Sequence, residues 1–152
     1  INSISFKTKI GWVNAVEENK EIISISFGRT KSKGSSTILR LLKKNVINYF
    51  LGKKIKNLFV LMMYGSDLQI KIWKILKSIP YGKTISYGDL AKKVNSSPRY
   101  IGRVCGENKH LMLVPCHRVI RSNGKLGGFS GLGGVKLKKY LLDLENMHIL
   151  DN

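Results

Sequence analysis

The chain has 152 residues, 43% of them hydrophobic, enough to bury a core without disulfides or metal. Lys and Arg number 27 against 9 Asp and Glu, a formal charge of +18, which points to an extended polyanion: nucleic acid first, a membrane surface second. Cys105 and Cys116 are too few for a disulfide scaffold, and with His110, His117 and His148 they match no usual zinc spacing.

No structural metal and no cofactor are expected, and the setting is a reducing, cytoplasmic one. No signal peptide is evident, and no apolar run reaches the ~18 residues that a membrane span needs. The acids sit mostly near the two ends, leaving Asp67, Asp89 and Glu107 in between, so the middle of the chain carries the positive field.

From Ile1 to Phe27 the apolar residues recur in short strand-like runs broken by Glu17-Glu18-Asn19-Lys20, which predicts a small antiparallel sheet. Gly28 to Ser36 reads as a basic loop. Ile38, Leu41, Leu42, Val46 and Tyr49 then form one helical stripe that would pack on the sheet. The apolar run Leu58 to Met63 has no clear assignment, and Tyr64-Gly65-Ser66 reads as a hinge. Two domains are expected, 1–64 and 65–152.

Ser66 and Gln69 have capping-box spacing ahead of a stripe of Leu68, Ile72, Ile75 and Ile79. Pro80-Tyr81-Gly82 ends that helix. Ser86 can cap a helix from Tyr87 to about Val94, Asp89 completing the box. After the turn Asn95-Ser96-Ser97, Pro98 opens another. Two short helices so joined have the proportions of a helix-turn-helix.

On the second of them, Arg99, Gly102, Arg103 and Gly106 share one face, while Ile101, Val104 and Cys105 share the other and can be buried. Glycine inside a helix costs roughly 1 kcal/mol relative to alanine, so two of them there argue for close approach to another molecule.

The centre of the chain is the stretch Leu111 to Ile120. A strand-like apolar run reaches Pro115, turns to present Cys116, His117 and Arg118, and resumes as strand at Val119 and Ile120. Cys beside His and Arg suits a thiolate nucleophile. Adjacent residues of an extended chain face opposite ways, so His117 needs a turn or a bridging water to serve Cys116. Asn123-Gly124 predicts a tight hairpin. The glycine-rich loop to Gly134, with Phe129 and Ser130, should lie beside the cysteine. A last helix, Val135 to about Glu145, carries Leu137, Leu141 and Leu144 on one stripe.

These residues resemble the O6-alkylguanine-DNA alkyltransferases, also called methylated-DNA-protein-cysteine methyltransferases. Val114-Pro115-Cys116-His117-Arg118-Val119-Ile120 is similar to that family's active-site signature. Gln69 to Trp73, Ile79 to Ala91 and Pro98 to Asn108 follow its order and spacing. The resemblance implies an α+β (α/β) fold: an RNase H-like N-terminal sheet with a helix, and a mainly helical C-terminal domain with the helix-turn-helix.

It also implies a monomeric repair protein that binds double-stranded DNA in the minor groove with little sequence specificity. Such a protein flips out O6-alkylguanine and moves the alkyl group irreversibly onto its own cysteine. Residue by residue, it makes Cys116 the acceptor, His117 its activator through water, Glu145 the carboxylate orienting the histidine, and Asn108 the hinge between recognition helix and active site. Tyr87 would aid rotation of the nucleotide and protonate the leaving guanine, and Arg99 would replace the flipped base in the stack.

Ser97, Tyr100, Gly102 and Arg103 would contact DNA, and Val119, Ser130 and Phe129 would form the base pocket. Tyr100, Lys109 and Phe129 depart from residues frequent in the family. A non-catalytic lesion sensor of the same fold, and a helix-turn-helix regulator with an incidental cysteine, are the competing readings. The first is disfavoured by the presence of Cys116.

Overall fold

The structure is a computed structural model that describes residues 1–34, 36–128 and 134–152. Strands β1 (Asn2–Thr8), β2 (Gly11–Glu18) and β3 (Glu21–Phe27) form an antiparallel meander. Asn19 and Lys20 both take positive φ, 52° and 67°, the backbone that a two-residue turn between twisted strands requires. Ile22 and Ile25 are an odd number of residues apart, so strict alternation would send them to opposite faces. The register shift opposite Val16 and Glu17 lets both point into the core.

The unassigned run at Leu58 to Met63 supplies a fourth strand, β4 (Val60–Leu61), which pairs parallel with the start of β3, Ile22 opposite Leu61. The sheet order is β1-β2-β3-β4, so an antiparallel sheet gains one parallel edge.

Helix α1 (Thr37–Phe50) is capped by Ser36, whose side chain accepts from the Leu39 amide. It buries Leu39, Leu42, Val46, Tyr49 and Phe50, whereas Ile38 and Leu41 lie at the edge of the contact. The buried stripe is thus rotated slightly from the one read in the sequence. This first hydrophobic cluster also takes in Leu111, Met112 and Leu113 and two side chains of the last helix, Leu137 and Leu141.

Helix α2 (Asp67–Lys77) carries the complete Ser66–Gln69 capping box. It buries Ile72, Trp73 and Leu76, and the Trp73 indole N–H donates to the Val104 carbonyl at 3.1 Å. A two-residue strand β5 (Ile85–Ser86) leads into α3 (Tyr87–Lys93), where Ser86 Oγ accepts from the Asp89 amide. A turn with Asn95 at φ 54° connects it to α4 (Pro98–Gly106), capped by Ser97. Leu90, Ala91, Ile101, Val104 and Cys105 join α2 in the second hydrophobic cluster, and the two-helix unit expected from the sequence packs as such.

Two local expectations need correction. The run Leu111 to Val114 is a buried turn, not a strand: Val114 N–H donates back to His110 C=O and Met112 sits at φ 67°. One bridge, Ile25 to His110, ties it to the sheet, because these apolar residues fill the space between clusters instead of pairing along an edge. The Asn123-Gly124 turn is closed by Arg121 N–H donating to Lys125 C=O, but among the described residues no strand follows it. Strand β6 (Val119–Ile120) pairs instead with β5, in parallel. Helix α5 (Gly134–Met147) completes the fold.

Leu90 has no solvent exposure, so Leu90→Ala should cost about 2–5 kcal/mol of unfolding free energy in urea titrations, whereas exposed Arg99→Ala should change it by less than about 0.5.

Candidate active site

Cys116, His117 and Arg118 form one turn of 3-10 helix between Pro115 and β6. That turn separates side chains which an extended chain would simply alternate. Cys116 lines a cleft of about 690 Å³ together with Tyr87, Gly88, Pro98, Arg99, Gly102, Cys105, Gly106, Arg121, Ser122, Gly127 and Gly128. The Arg/Gly face of α4 and the cysteine therefore open onto one space.

A second cleft of about 870 Å³ is lined by Pro115 and Arg118 of the same turn, with Lys54, Lys56, Lys74, Lys77 and Lys83 among others. Cys116 is not among its lining residues, so the smaller cleft is the one that serves the thiol.

His117 and Glu145 are buried, 1% and 0% exposed, and His117 Nε2 lies 2.6 Å from Glu145 Oε2. A carboxylate accepts only, so this short contact assigns the ring proton to Nε2 and leaves Nδ1 as an acceptor. Nδ1 is buried and has no hydrogen-bond partner among the described residues.

Arg118 turns away from the thiol. Its Nε donates to Glu145 Oε1 at 2.8 Å, one Nη to Oε2 at 3.0 Å and the other to the Ile79 carbonyl at 2.7 Å. The sequence suggested that Arg118 favours the thiolate; the structure spends its charge on Glu145. Tyr49 OH also donates to Oε2, at 2.6 Å, and Gly82 N–H donates to Oε1 at 3.2 Å.

Burial alone would raise the Glu145 carboxyl, but the hydrogen bond from His117 and the hydrogen bonds and charge of Arg118 outweigh it and hold the group well below the carboxylate range. Burial is also the largest influence on His117, and it lowers the imidazole below its ordinary value despite the carboxylate. The resting pair is an ionised Glu145 and a neutral His117, because Arg118 already neutralises the carboxylate.

Asn108 follows the end of α4 and binds the turn from its other side. Its Nδ2 donates to the Val114 carbonyl at 2.9 Å and to Cys116 Sγ at 3.3 Å, while its Oδ1 accepts from the His110 amide at 2.8 Å. Cys116 keeps some exposure, yet its sulfur sits among buried neighbours. Burial pushes the thiol up, opposed by the Asn108 hydrogen bond and then the charge of Lys138. Cys105 is pushed up to about 12 by burial and by Cys116, as suits a packing thiol.

Lys138 was not anticipated. It is 1% exposed, and its ammonium donates to Tyr87 OH and to the Gly128 carbonyl, each at 3.2 Å, holding the Tyr87 ring against the loop. The available signal was its place seven residues before Glu145, hence on the same inward face of α5. Burial, followed by the two thiols, pushes the Tyr87 phenol up to about 12, so it stays protonated at neutral pH.

Of the remaining residues singled out in the sequence, Arg99 and Gly102 line the cleft and Arg103 is exposed on α4 near Glu107. Ser97 is the cap of α4, and Tyr100 lies half-buried against the second cluster. Val119 is fully buried and is not among the residues that line the cleft; its amide donates to the Cys116 carbonyl. Phe129 and Ser130 lie outside the described residues. Among the described residues no group of three or more His, Cys, Asp or Glu side chains could hold a metal ion, and no helix is long and apolar enough to cross a membrane.

Residues 67–147 match the family described as 6-O-methylguanine DNA methyltransferase, DNA binding domain. The chain is 31% identical to a methylated-DNA-protein-cysteine methyltransferase of Metallosphaera sedula, over 93% of this chain and 90% of that one. The chain belongs to this methyltransferase family. A Saccharolobus solfataricus member is 32% identical over 95% of both chains. The Mycobacterium tuberculosis OGT, solved in complex with DNA, superposes with a TM-score of 0.83 at 29% identity, covering 96% of this chain and 93% of that one. The α+β fold and the methyltransferase class read from the sequence both hold.

Acid should weaken the fold through this site. His117 and His110, both lowered mainly by burial, stay neutral in the folded state where the unfolded chain takes up protons, so stability falls as pH drops through about 6.5. Glu145 is depressed in the folded state, so its contribution is complete above its unfolded value of about 4.3 and is lost below it. Urea midpoints measured against pH should fall in these two stages, and His117→Gln should reduce the first to the part due to His110.

Proposed function

We propose that the protein repairs DNA by taking the alkyl group of O6-alkylguanine onto Cys116, each molecule acting once because a thioether is not readily reversed. A base inside a duplex hides its O6 substituent, so the nucleotide must first be turned out, at a cost of a few kcal/mol. The cleft shared by Cys116 and the Arg/Gly face of α4 is the observation that carries this reading.

In this reading α4 enters the minor groove of double-stranded DNA, with Gly102 permitting close approach. Ser97, Tyr100 and Arg103 contact the backbone, and Arg99 fills the space left by the extruded base. Phosphate contacts of this kind need little sequence specificity, and one monomer suffices. In the same reading Ser130 and Phe129 take part in holding the guanine.

The chemistry is a displacement at saturated carbon. Cys116 must lose its proton, and His117 Nδ1, held open by the Nε2 bond to Glu145, receives it through a bridging water. The S–C bond forms as the C–O6 bond breaks, and the electron pair passes into the guanine, which takes a proton from Tyr87. A phenol held protonated is the appropriate donor, and the Lys138 ammonium stabilises the phenolate that results. Asn108 keeps the sulfur and the recognition helix in fixed relation.

Incubation with a duplex containing O6-methylguanine, followed by peptide mass analysis, should place one methyl group on the Cys116 peptide. Cys116→Ser should retain binding to the duplex and lose transfer. Tight lesion binding by the unaltered protein with an unmodified Cys116 would overturn the proposal. Arg99→Ala should slow transfer while leaving the reaction of Cys116 with a free alkylated base within about twofold.

A further inference from the structure

All the residues given a role in transfer lie beyond residue 80, yet Tyr49 of α1 reaches the centre of the site. Its ring is 1% exposed and packed edge-on against Phe50 and Tyr81, centroids 5.4 and 6.2 Å away. A phenylalanine would satisfy that packing, and a buried hydroxyl is costly unless bonded. The hydroxyl donates to Glu145 Oε2 at 2.6 Å, the oxygen that also accepts from His117 Nε2 at 2.6 Å. Oε1 is served separately, by Arg118 Nε and the Gly82 amide.

We propose that Tyr49 is a positioning residue for the transfer reaction: by sharing Oε2 with His117, it sets how firmly Glu145 holds the histidine once the proton of Cys116 has moved to Nδ1. The inference rests on the reading of His117 as the base. A phenol that donates to a carboxylate oxygen withdraws charge from it, so the oxygen stabilises an imidazolium less. Tyr49 keeps its own proton throughout, since burial and then Glu145 push the phenol well above its ordinary value.

The other charged or titratable groups facing the pair are Arg118 from the turn, Tyr81 from the loop after α2, and Lys138 from α5. None of them changes charge when the Tyr49 hydroxyl is removed. Without it, Oε2 is left to His117 and Arg118, becomes the stronger acceptor, and His117 retains a proton to higher pH.

The test is the single-turnover rate of methyl transfer to Cys116 from about pH 5.5 to about 9 for Tyr49→Phe. The acid limb should move up by about half to one pH unit, with a rate on that limb roughly 3–10-fold lower and the high-pH plateau retained. In a Glu145→Gln background the same change should cause no further shift. Site-specific 3-fluorotyrosine at position 49, a stronger donor, should move the limb down.

Titration of the His117 imidazole by NMR should show the same two displacements without any need for transfer. If the unaltered protein leaves Cys116 unmethylated, the proposed function fails while this titration still judges Tyr49. A rate that falls equally at every pH, or a His117 titration unmoved by Tyr49→Phe and by fluorination, would overturn the inference.

Discussion

A single buried carboxylate constrains much of this molecule. Glu145 is withdrawn from water, and an ion so placed costs several kcal/mol unless its oxygens are met by donors of good geometry. Here they come from α1 through Tyr49, from the loop after α2 through Gly82, and from the 3-10 turn through His117 and Arg118. Each of those segments must be in place for the carboxylate to be stable. The same carboxylate in turn fixes how the segments meet.

The division of labour between neighbours follows. Arg118 is consumed in neutralising Glu145, which leaves His117 free to remain an uncharged imidazole with one nitrogen bonded and the other open. Cys116, next along the turn, faces the cleft and is bridged by Asn108 to the end of α4. On the far side of the cleft, Lys138 holds the Tyr87 ring and the loop carbonyl of Gly128 together. Charge is thus placed where, in the proposed reaction, a thiol would lose a proton and a leaving base would gain one. The apolar clusters supply only the rigid support.

Much of this was legible in the sequence because it is local. The serine caps and periodic stripes of α2, α3 and α4 declare themselves over a few residues, and the Pro-Cys-His-Arg segment is specific enough to indicate the family. Features that depend on distant partners were not legible. Strand β4 has two residues, and nothing local indicates that it pairs in parallel with β3. The apolar run Leu111 to Val114 has strand composition but is bent into a turn by the need to fill the space between clusters. Tyr49 reads as one more member of an apolar stripe, since its hydroxyl meets Glu145 across 96 positions of chain. Lys138 reads as a solvated charge until its face of α5 is known to point inward.

Glu145 holds His117 as the neutral tautomer with its proton on Nε2 and its Nδ1 lone pair available. Nitrogen NMR of the protein labelled at histidine reports that state directly. At neutral pH His117 should show a protonated Nε2 and an unprotonated Nδ1, with the pattern lost in Glu145→Gln. A proton on Nδ1, or a doubly protonated ring at neutral pH, would contradict it.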